Sequence, residues 1–262
     1  MPYSNDSQAL IGLIAADLAN ALIATDFDGT LSPIVEDPAL AVPCDGAIAV
    51  LRELSAHCGE LAVVSGRPVS YLSRFVPAEV TVVGLYGLES LKDGQTQVHS
   101  NAGIWRETMD DVATAARLRG PKGMVVECKG LSITLHYRGH PELEKAVEAY
   151  SEIAAHSGGL RRRAARMSFE LHPPIDEDKG TVIRRLAADQ SGPVVYIGDD
   201  IGDLPAFEAL DELAAAGRPV ARVCVSSSEV TAQLVERADL VLNGPGAVVE
   251  FMKRLIEAAQ GQ

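Results

Sequence analysis

Acidic residues directly follow two apolar segments, and their spacing suits metal binding and nucleophilic chemistry. They are Asp26, Asp28, Asp199, Asp200 and Asp203. In open α/β sheets ligands bind at the carboxyl ends of the strands, and carboxylates that meet there cannot all stay ionised without compensation. A few carboxylates, completed by water and a substrate phosphate, are the ligands that Mg²⁺ favours. We therefore predict that these five residues form a Mg²⁺ site.

Two of these carboxylates and one lysine have the chemistry needed for phosphoryl transfer. A carboxylate in line with a phosphorus atom can attack it and form an aspartyl-phosphate, the role that we assign to Asp26. Asp28, two residues further on, can protonate the leaving oxygen and then deprotonate the hydrolytic water. Lys179 begins a predicted helix, where its charge opposes the helix dipole, and this misfit favours a catalytic role beside the phosphate.

Hydroxyl, guanidinium and backbone N–H groups next to these residues could bind the phosphate oxygens. The predicted phosphate-binding residues are Gly29, Thr30, Ser65, Gly66 and Arg67. Each motif also has a purely structural interpretation, because Asp and Gly favour turns and Asp203 could cap the helix that follows it.

The elements that must position these residues follow a βαβ pattern. Short apolar runs alternate with amphipathic helical segments, which predicts an α/β fold with a Rossmann-like parallel sheet flanked by helices. The predicted strands cover residues 21–25, 61–65, 80–84, 194–197, 220–225 and 240–242. One predicted helix runs from Ala47 to Cys58, with Asp45 as its cap, and the last helix covers residues 247–259.

The pattern changes between residues 100 and 177. Residues 124–128 and 131–137 predict an antiparallel hairpin, a helix begins at Pro141, and a single polar strand covers residues 160–171. We therefore expect a discontinuous core, residues 1–100 and 178–262, interrupted by a smaller α+β cap domain at residues 101–177.

Composition limits the classes of function. The chain has 262 residues, 47% of them hydrophobic, and a net charge of −13, which argues against nucleic acid or an anionic membrane as a partner. No positive region precedes the first apolar stretch, and no charge-free apolar run approaches about 18 residues, so we expect neither a signal peptide nor a membrane span. The four cysteines include no CxxC pair, and we interpret them as reduced core residues. We expect a cytoplasmic monomer.

Asp26-Phe-Asp-Gly-Thr30, Ser65, Lys179 and Gly198-Asp-Asp200 appear in the order of the four motifs of haloacid dehalogenase superfamily phosphatases, which they resemble. A closer resemblance is to trehalose-6-phosphate phosphatases, through the segment 26–38, Ser65-Gly-Arg67 and the cap signatures around residues 127–138 and 170–180. In that family Mg²⁺ is held by the residues that match Asp26, the Asp28 carbonyl and Asp199.

The same resemblance implies how the cap recognises its ligand. The family residues that match Glu127, Lys129 and Glu170 contact the hydroxyls of the distal sugar ring, although strand alternation alone would also expose these side chains to solvent. Tyr86 and His172 stand where family members usually have His and Arg, and Leu204 departs from their Thr-Asp-Glu segment. These differences leave open which disaccharide is accepted.

The resemblance implies a Mg²⁺-dependent phosphatase that converts trehalose 6-phosphate, a small-molecule sugar phosphate, to trehalose. The same chemistry on another phosphorylated disaccharide, amino-sugar or pseudo-sugar is the nearest alternative. Two others stay open. One is a non-catalytic regulatory phosphatase-like domain, and the other is a phosphomutase.

Overall fold

The computed structural model describes residues 5–35, 37–165, 167–227 and 230–261. The chain divides into two compact units. The larger unit contains the residues up to Thr96 and those from Glu177 onward, and the smaller one contains Gln97–Asp176.

Strands and helices alternate along most of the chain. The strands are β1 (Leu22–Thr25), β2 (Glu60–Val64), β3 (Thr81–Gly84), β4 (Glu89–Lys92), β5 (Gln95–Val98), β6 (Val125–Cys128), β7 (Ile133–His136), β8 (Arg161–Ala165), β9 (Ser168–His172), β10 (Val194–Gly198), β11 (Val220–Val225) and β12 (Leu240–Leu242). The α-helices are α1 (Asn5–Ala15), α2 (Ala47–Ser55), α3 (Val69–Leu72), α4 (Arg106–Arg119), α5 (Glu144–Gly158), α6 (Lys179–Ala188), α7 (Leu204–Ala215), α8 (Ala232–Arg237) and α9 (Pro245–Gln260).

The larger sheet confirms the predicted α/β class and adds two strands to it. Within the described residues its order is β12-β11-β10-β1-β2-β3-β4-β5. The strands from β12 to β3 pair in parallel, whereas β4 pairs with β3 antiparallel. β4 and β5 were not predicted, because their polar side chains hide the strand pattern. The signal that could have found them is Asp93-Gly94 between them, where both φ values are positive (51° and 72°), as two-residue hairpin turns require.

Helices cover both faces of this sheet, which explains its continuous apolar runs. Ile23 and Val63 point into a core shared with α1, α2 and α9. Leu22 and Ala24 point to the opposite side, into a core shared with α6 and α7. Because successive side chains alternate between two buried faces, nearly every position of the central strands is apolar.

The start of α2 differs from its prediction, whereas the start of α6 agrees with its prediction. α2 begins after Gly46, which adopts a left-handed conformation, and not after an Asp45 cap, and it ends at Ser55. α6 begins at Lys179, as predicted. Its N-cap, Asp178, forms a reciprocal capping box with Thr181, which satisfies two of the helix's unpaired N–H donors.

The smaller unit has a four-stranded antiparallel sheet in the order β6-β7-β9-β8 within its described residues. The prediction of one polar strand over residues 160–171 is wrong, because β8 and β9 are two strands of a hairpin and β9 is largely buried. Helix α4 was also missed. Its core-facing residues are Met109, Ala113 and Ala116, and small alanines give only a weak helical pattern of hydrophobicity.

The structure also bears on two expectations drawn from composition, the burial of the cysteines and the lack of a membrane span. All four cysteines are free thiols, but only Cys224 is buried, and the other three are half-buried. The prediction that all four are core residues is therefore wrong. Among the described residues, no helix combines the length and the apolar character needed to cross a membrane.

Candidate active site

Asp26 and Asp199 lie side by side at the carboxyl edge of the larger sheet. They directly follow β1 and β10, which pair in parallel with Thr25 opposite Ile197. The Asp26 N–H donates to the Ile197 carbonyl at 2.8 Å, so the pairing continues past the end of β1. The register of two apolar strands thus places two carboxylates next to each other.

A third carboxylate, that of Asp203, completes a buried cluster with Asp26 and Asp199. One oxygen from each residue lies within 4.8 Å of the others, and all three residues are buried. Gly29 permits this approach. It has φ +75°, and a Cβ atom there would lie 1.9 Å from an oxygen of Asp199, so any other residue would collide with the cluster.

Lys179 supplies a positive charge to the cluster. Its Nζ lies 3.0 Å from Asp26 and 2.5 Å from Asp203. Burial disfavours the charged amine, but the carboxylates of Asp203 and Asp26 outweigh it and raise the Lys179 pKa well above its usual value. The lysine therefore stays protonated, and the first turn of α6 aims it at the carboxylates.

The Asp203 carboxylate is saturated with hydrogen bonds. One oxygen accepts from Lys179 Nζ (2.5 Å) and from the Tyr196 hydroxyl (2.6 Å). The other accepts from the N–H groups of Asp199 (2.8 Å) and Asp200 (3.0 Å). A carboxylate has about four acceptor sites, so Asp203 has no further acceptor site for a metal ion. It instead fixes Lys179 and the loop after β10.

The cluster carries more negative charge than Lys179 can balance. Burial, with Asp203, Asp199 and Asp200 nearby, raises the pKa of Asp26 well above its usual value despite Lys179. Burial and the Asp203 charge raise the pKa of Asp199 to about 8. Because buried carboxylates that resist ionisation are stabilised by a cation, the donor set fits a divalent metal ion, with Asp26 and Asp199 as the carboxylate ligands.

Two hydroxyl groups orient Asp199. Ser227 Oγ donates to one of its oxygens at 2.7 Å, and Thr30 Oγ1 donates to the other at 3.5 Å. Thr30 was a predicted phosphate ligand, and its only described side-chain bond is to Asp199. Tyr196 and Ser227 were missed by the sequence reasoning, because a tyrosine in an apolar strand and a lone serine in a loop carry no motif signal.

Asp28 lies apart from the carboxylate cluster, in an ion pair with Arg67. Arg67 Nε and Nη2 donate to the two Asp28 oxygens, each at 2.7 Å. The structure thus gives the predicted phosphate ligand Arg67 a carboxylate partner that the sequence did not indicate. The Gly29 N–H, also predicted for phosphate, donates to the Ser32 carbonyl at 2.7 Å.

The Ser65-Gly66 turn packs against an unusual backbone segment after β3. Leu85 and Tyr86 have φ values of 50° and 58°, which is uncommon for residues other than glycine. Their N–H groups donate to the carbonyls of Arg67 and Ser65. A Cβ atom at Gly66 would lie 2.7 Å from the Tyr86 ring, so Gly66 makes room for the tyrosine that replaces the usual histidine. Strained backbone of this kind clusters at functional sites.

Asp200 shapes the loop rather than the cluster. Its carboxylate accepts from the Gly202 N–H at 2.8 Å and caps the short helical turn of residues 201–203. The aspartate cap is therefore Asp200, three residues before Asp203, the residue for which capping had been considered.

The predicted sugar-binding residues share one face of the smaller sheet. Glu127 and Glu170 both lie opposite Thr134 in the register, and Lys129 Nζ is 3.6 Å from Glu127. His136 Nε2 lies 3.0 Å from the same carboxylate, a contact that the sequence did not indicate. Glu170 is only 4% exposed and accepts from Ser132, so the solvated-face interpretation does not hold for it.

Comparison with known proteins decides the family. Residues 24–238 match the family model of trehalose-phosphatases. This chain belongs to the trehalose-phosphatase family. Membership confirms the expectation from the four motifs, which all lie inside the matched region.

Individual relatives of this trehalose-phosphatase family member agree. The trehalose-phosphate phosphatase of Mycobacterium ulcerans (strain Agy99) is 34% identical over 241 residues, which cover 88% of this chain and 60% of that protein. The chain thus spans about 60% of the length of this and the other mycobacterial trehalose-phosphate phosphatases that it matches. The crystal structure of a trehalose-6-phosphate phosphatase related protein has a TM-score of 0.77 at 23% identity, covering 92% of this chain and all of that one. The C-terminal domain of the Candida albicans trehalose-6-phosphate phosphatase has a TM-score of 0.75 at 24% identity, covering 98% of each chain.

Proposed function

We propose that this protein hydrolyses trehalose 6-phosphate to trehalose and inorganic phosphate. The observation that carries the proposal is the buried cluster in which Lys179 Nζ lies 3.0 Å from Asp26 and the carboxylates of Asp26 and Asp199 adjoin. A regulatory domain has no need to bury an ammonium group among carboxylates, because each buried charge costs free energy unless it is compensated. Family membership supplies the substrate.

Asp26 is the nucleophile. One of its carboxylate oxygens attacks phosphorus, the new P–O bond forms, and the bond between phosphorus and the sugar oxygen breaks. The Lys179 ammonium beside it offsets charge on the transferring phosphoryl group. Because the cluster is buried, these charges interact in a site with little water, where each interaction is stronger than in solution.

Asp28 moves the protons of both steps. It gives a proton to the departing sugar oxygen and then takes one from the water that attacks the phosphorus of the aspartyl-phosphate. The bond between phosphorus and the Asp26 oxygen breaks, which regenerates the carboxylate and releases inorganic phosphate. Its carboxylate is 31% exposed, whereas Asp26 is buried, and a group that exchanges protons with substrate and water must be accessible.

Mg²⁺ is the metal that suits this donor set. Asp26 and Asp199 would hold it, with the Asp28 carbonyl as the family resemblance implies, and Asp200 and Asp203 would support them. When bound, it would neutralise negative charge on the carboxylates and the phosphate. Ser65, the Gly66 N–H and Thr30 complete the proposed phosphate-binding groups, whereas the guanidinium of Arg67 contacts Asp28.

The smaller unit is the proposed cap domain and recognises the sugar. Glu127, Lys129 and Glu170 form a polar face whose carboxylates and ammonium can bond to sugar hydroxyls. His172 extends this face, since it lies on the same strand as Glu170, two residues away. Burial lowers the pKa of its imidazole, so at neutral pH it offers a neutral ring where relatives usually carry a guanidinium.

A panel of sugar phosphates tests the proposal. Phosphate release from trehalose 6-phosphate is expected to exceed release from glucose 6-phosphate by at least about tenfold in kcat/KM, and to require Mg²⁺. Faster turnover of another disaccharide phosphate would move the substrate and keep the chemistry. Absence of phosphate release from every substrate, with the protein folded, would favour the regulatory alternative.

A further inference from the structure

We propose that Arg67 is a positioning residue for Asp28 and not a phosphate ligand. The inference rests on the proposed function, since it assigns a role within the same reaction. Its basis is the bidentate contact in which two guanidinium nitrogens reach both oxygens of one carboxylate, each at 2.7 Å. Such a planar fork fixes both the location and the rotation of the carboxylate, which a single bond or a lysine cannot do.

In this ion pair the arginine is the more buried partner and the carboxylate is the more exposed one. The Arg67 side chain is 9% exposed and that of Asp28 is 31% exposed. The two bonds occupy one acceptor site on each Asp28 oxygen, and a carboxylate has about four such sites. Each oxygen therefore keeps one site for a proton that travels to the sugar oxygen or from water.

Arg67 is itself held in place from two sides. Its guanidinium lies 4.5 Å from the centroid of the Tyr71 ring, a cation–π contact. The Tyr71 hydroxyl donates to the Ala41 carbonyl at 2.5 Å. On the backbone side, the Arg67 N–H donates to Ser65 Oγ at 3.2 Å. A side chain anchored at both ends can orient its partner, whereas a phosphate ligand needs only to reach the substrate.

Asp28 needs such support because of its place in the chain. It lies beyond the end of β1, outside the sheet, and among the described residues its backbone forms only an isolated β-bridge with Ser32. Its carboxyl group must act twice at the same place, first on the sugar oxygen and then on water. Small displacements of a reacting group cost large factors in rate, so the Arg67 fork is what keeps the two steps in register.

The test is a double-mutant cycle with p-nitrophenyl phosphate, a substrate that does not depend on the disaccharide assignment. Its leaving group needs little acid assistance, so loss of Asp28 orientation should slow chiefly the hydrolysis of the aspartyl-phosphate. In Arg67→Gln we expect kcat to fall about 100-fold, within the range typical of general acid–base catalysis, with a rapid burst of about one p-nitrophenolate per enzyme. The double variant with Asp28→Asn should be no slower than Asp28→Asn alone.

Three further measurements separate positioning from phosphate binding. The inhibition constant of inorganic phosphate should change less than threefold in Arg67→Gln. The kcat of Arg67→Lys should exceed that of Arg67→Gln by less than tenfold, because an ammonium cannot form the fork. Arg67→Lys is also the variant to measure if Arg67→Gln does not fold. Arg74→Gln is the matched control, since this exposed arginine lies over the same Tyr71 ring, at 5.3 Å, and should keep full activity.

Several outcomes would overturn the proposal. They are losses that multiply in the double variant, inhibition by phosphate that weakens tenfold or more, and full activity in Arg67→Lys. None of these results depends on whether trehalose 6-phosphate is the substrate, which the sugar phosphate panel decides separately.

Discussion

The carboxylate cluster of the larger unit and the polar face of the smaller sheet use similar residue types in opposite ways. In the cluster, Asp26, Asp199 and Asp203 are all buried, and every oxygen of Asp203 is bonded. On the polar face, Glu127 is 35% exposed and lies among long, partly exposed side chains. Buried carboxylates have one arrangement, whereas partly exposed ones can change partners.

We expect this difference in burial to separate the proposed chemistry from the proposed sugar recognition. A buried charge without compensation is expensive, so the cluster tolerates few substitutions and its residues follow a fixed motif order. On the polar face Glu170 is buried, but Glu127 and His172 are only partly buried, so exchanging either of these two costs less free energy. This agrees with His172 standing where family members usually have Arg. Substitutions in the two regions should therefore differ in size and in the kinetic constant that they change.

The largest effect is expected for Asp26→Asn. Removal of the proposed nucleophile should lower kcat at least about 10⁴-fold on every phosphomonoester, a loss typical of essential catalytic groups. The melting temperature should not fall, because one of the mutually repelling buried carboxylates is neutralised. Phosphate release and thermal unfolding measure the two effects, with the exposed Asp45→Asn as control. Activity above a hundredth of wild type would contradict the covalent mechanism.

Metal removal should be the next largest effect. Activity should disappear after treatment with a chelator and return with Mg²⁺. Added Mg²⁺ should also raise the melting temperature, since a ligand that binds only the folded state stabilises it. The double variant Asp26→Asn with Asp199→Asn should show no such thermal shift. If the variant and the wild type shift equally, the metal is held elsewhere.

Substitutions on the polar face should act on binding. Glu127→Gln and Glu170→Gln should each raise the KM for the sugar phosphate about tenfold, as expected for the loss of a charged hydrogen bond worth about 1.5 kcal/mol. Their activity on p-nitrophenyl phosphate, which lacks the sugar, should stay within twofold. Glu107→Gln, at an exposed position in the first turn of α4, is the matched control. Equal losses on both substrates would mean that the face supports the fold and not recognition.

The smallest effect is expected at His136. His136→Gln should raise the KM for the sugar phosphate about threefold, because the imidazole acts only through Glu127, 3.0 Å away. In the background of Glu127→Gln the same change should have no further effect, since neighbouring residues couple. Additive losses would place His136 in direct contact with the sugar.

Sequence reasoning found the carboxylate cluster and Lys179 because each member follows an apolar strand or begins a helix. Asp26 and Asp199 follow continuous apolar runs, and Lys179 follows the capping residue Asp178. It did not find Tyr196, whose hydroxyl reaches Asp203 from inside a strand. A tyrosine in an apolar run reads as a packing residue, and only the fold reveals where its hydroxyl points. Helix α4 and the β4–β5 pair were missed for a related reason, because their core contacts are few or small.

The sequence by itself determined the α/β class, the family and the set of groups available for phosphoryl chemistry, since these depend on local periodicity and on motif order. The tertiary structure alone decided the partners: Asp28 with Arg67, Asp203 with Lys179 and two backbone N–H groups, and His136 with Glu127. The physical reason is that a hydrogen bond requires a distance and a direction between atoms far apart in the chain, and neither is encoded in the identity of a single residue.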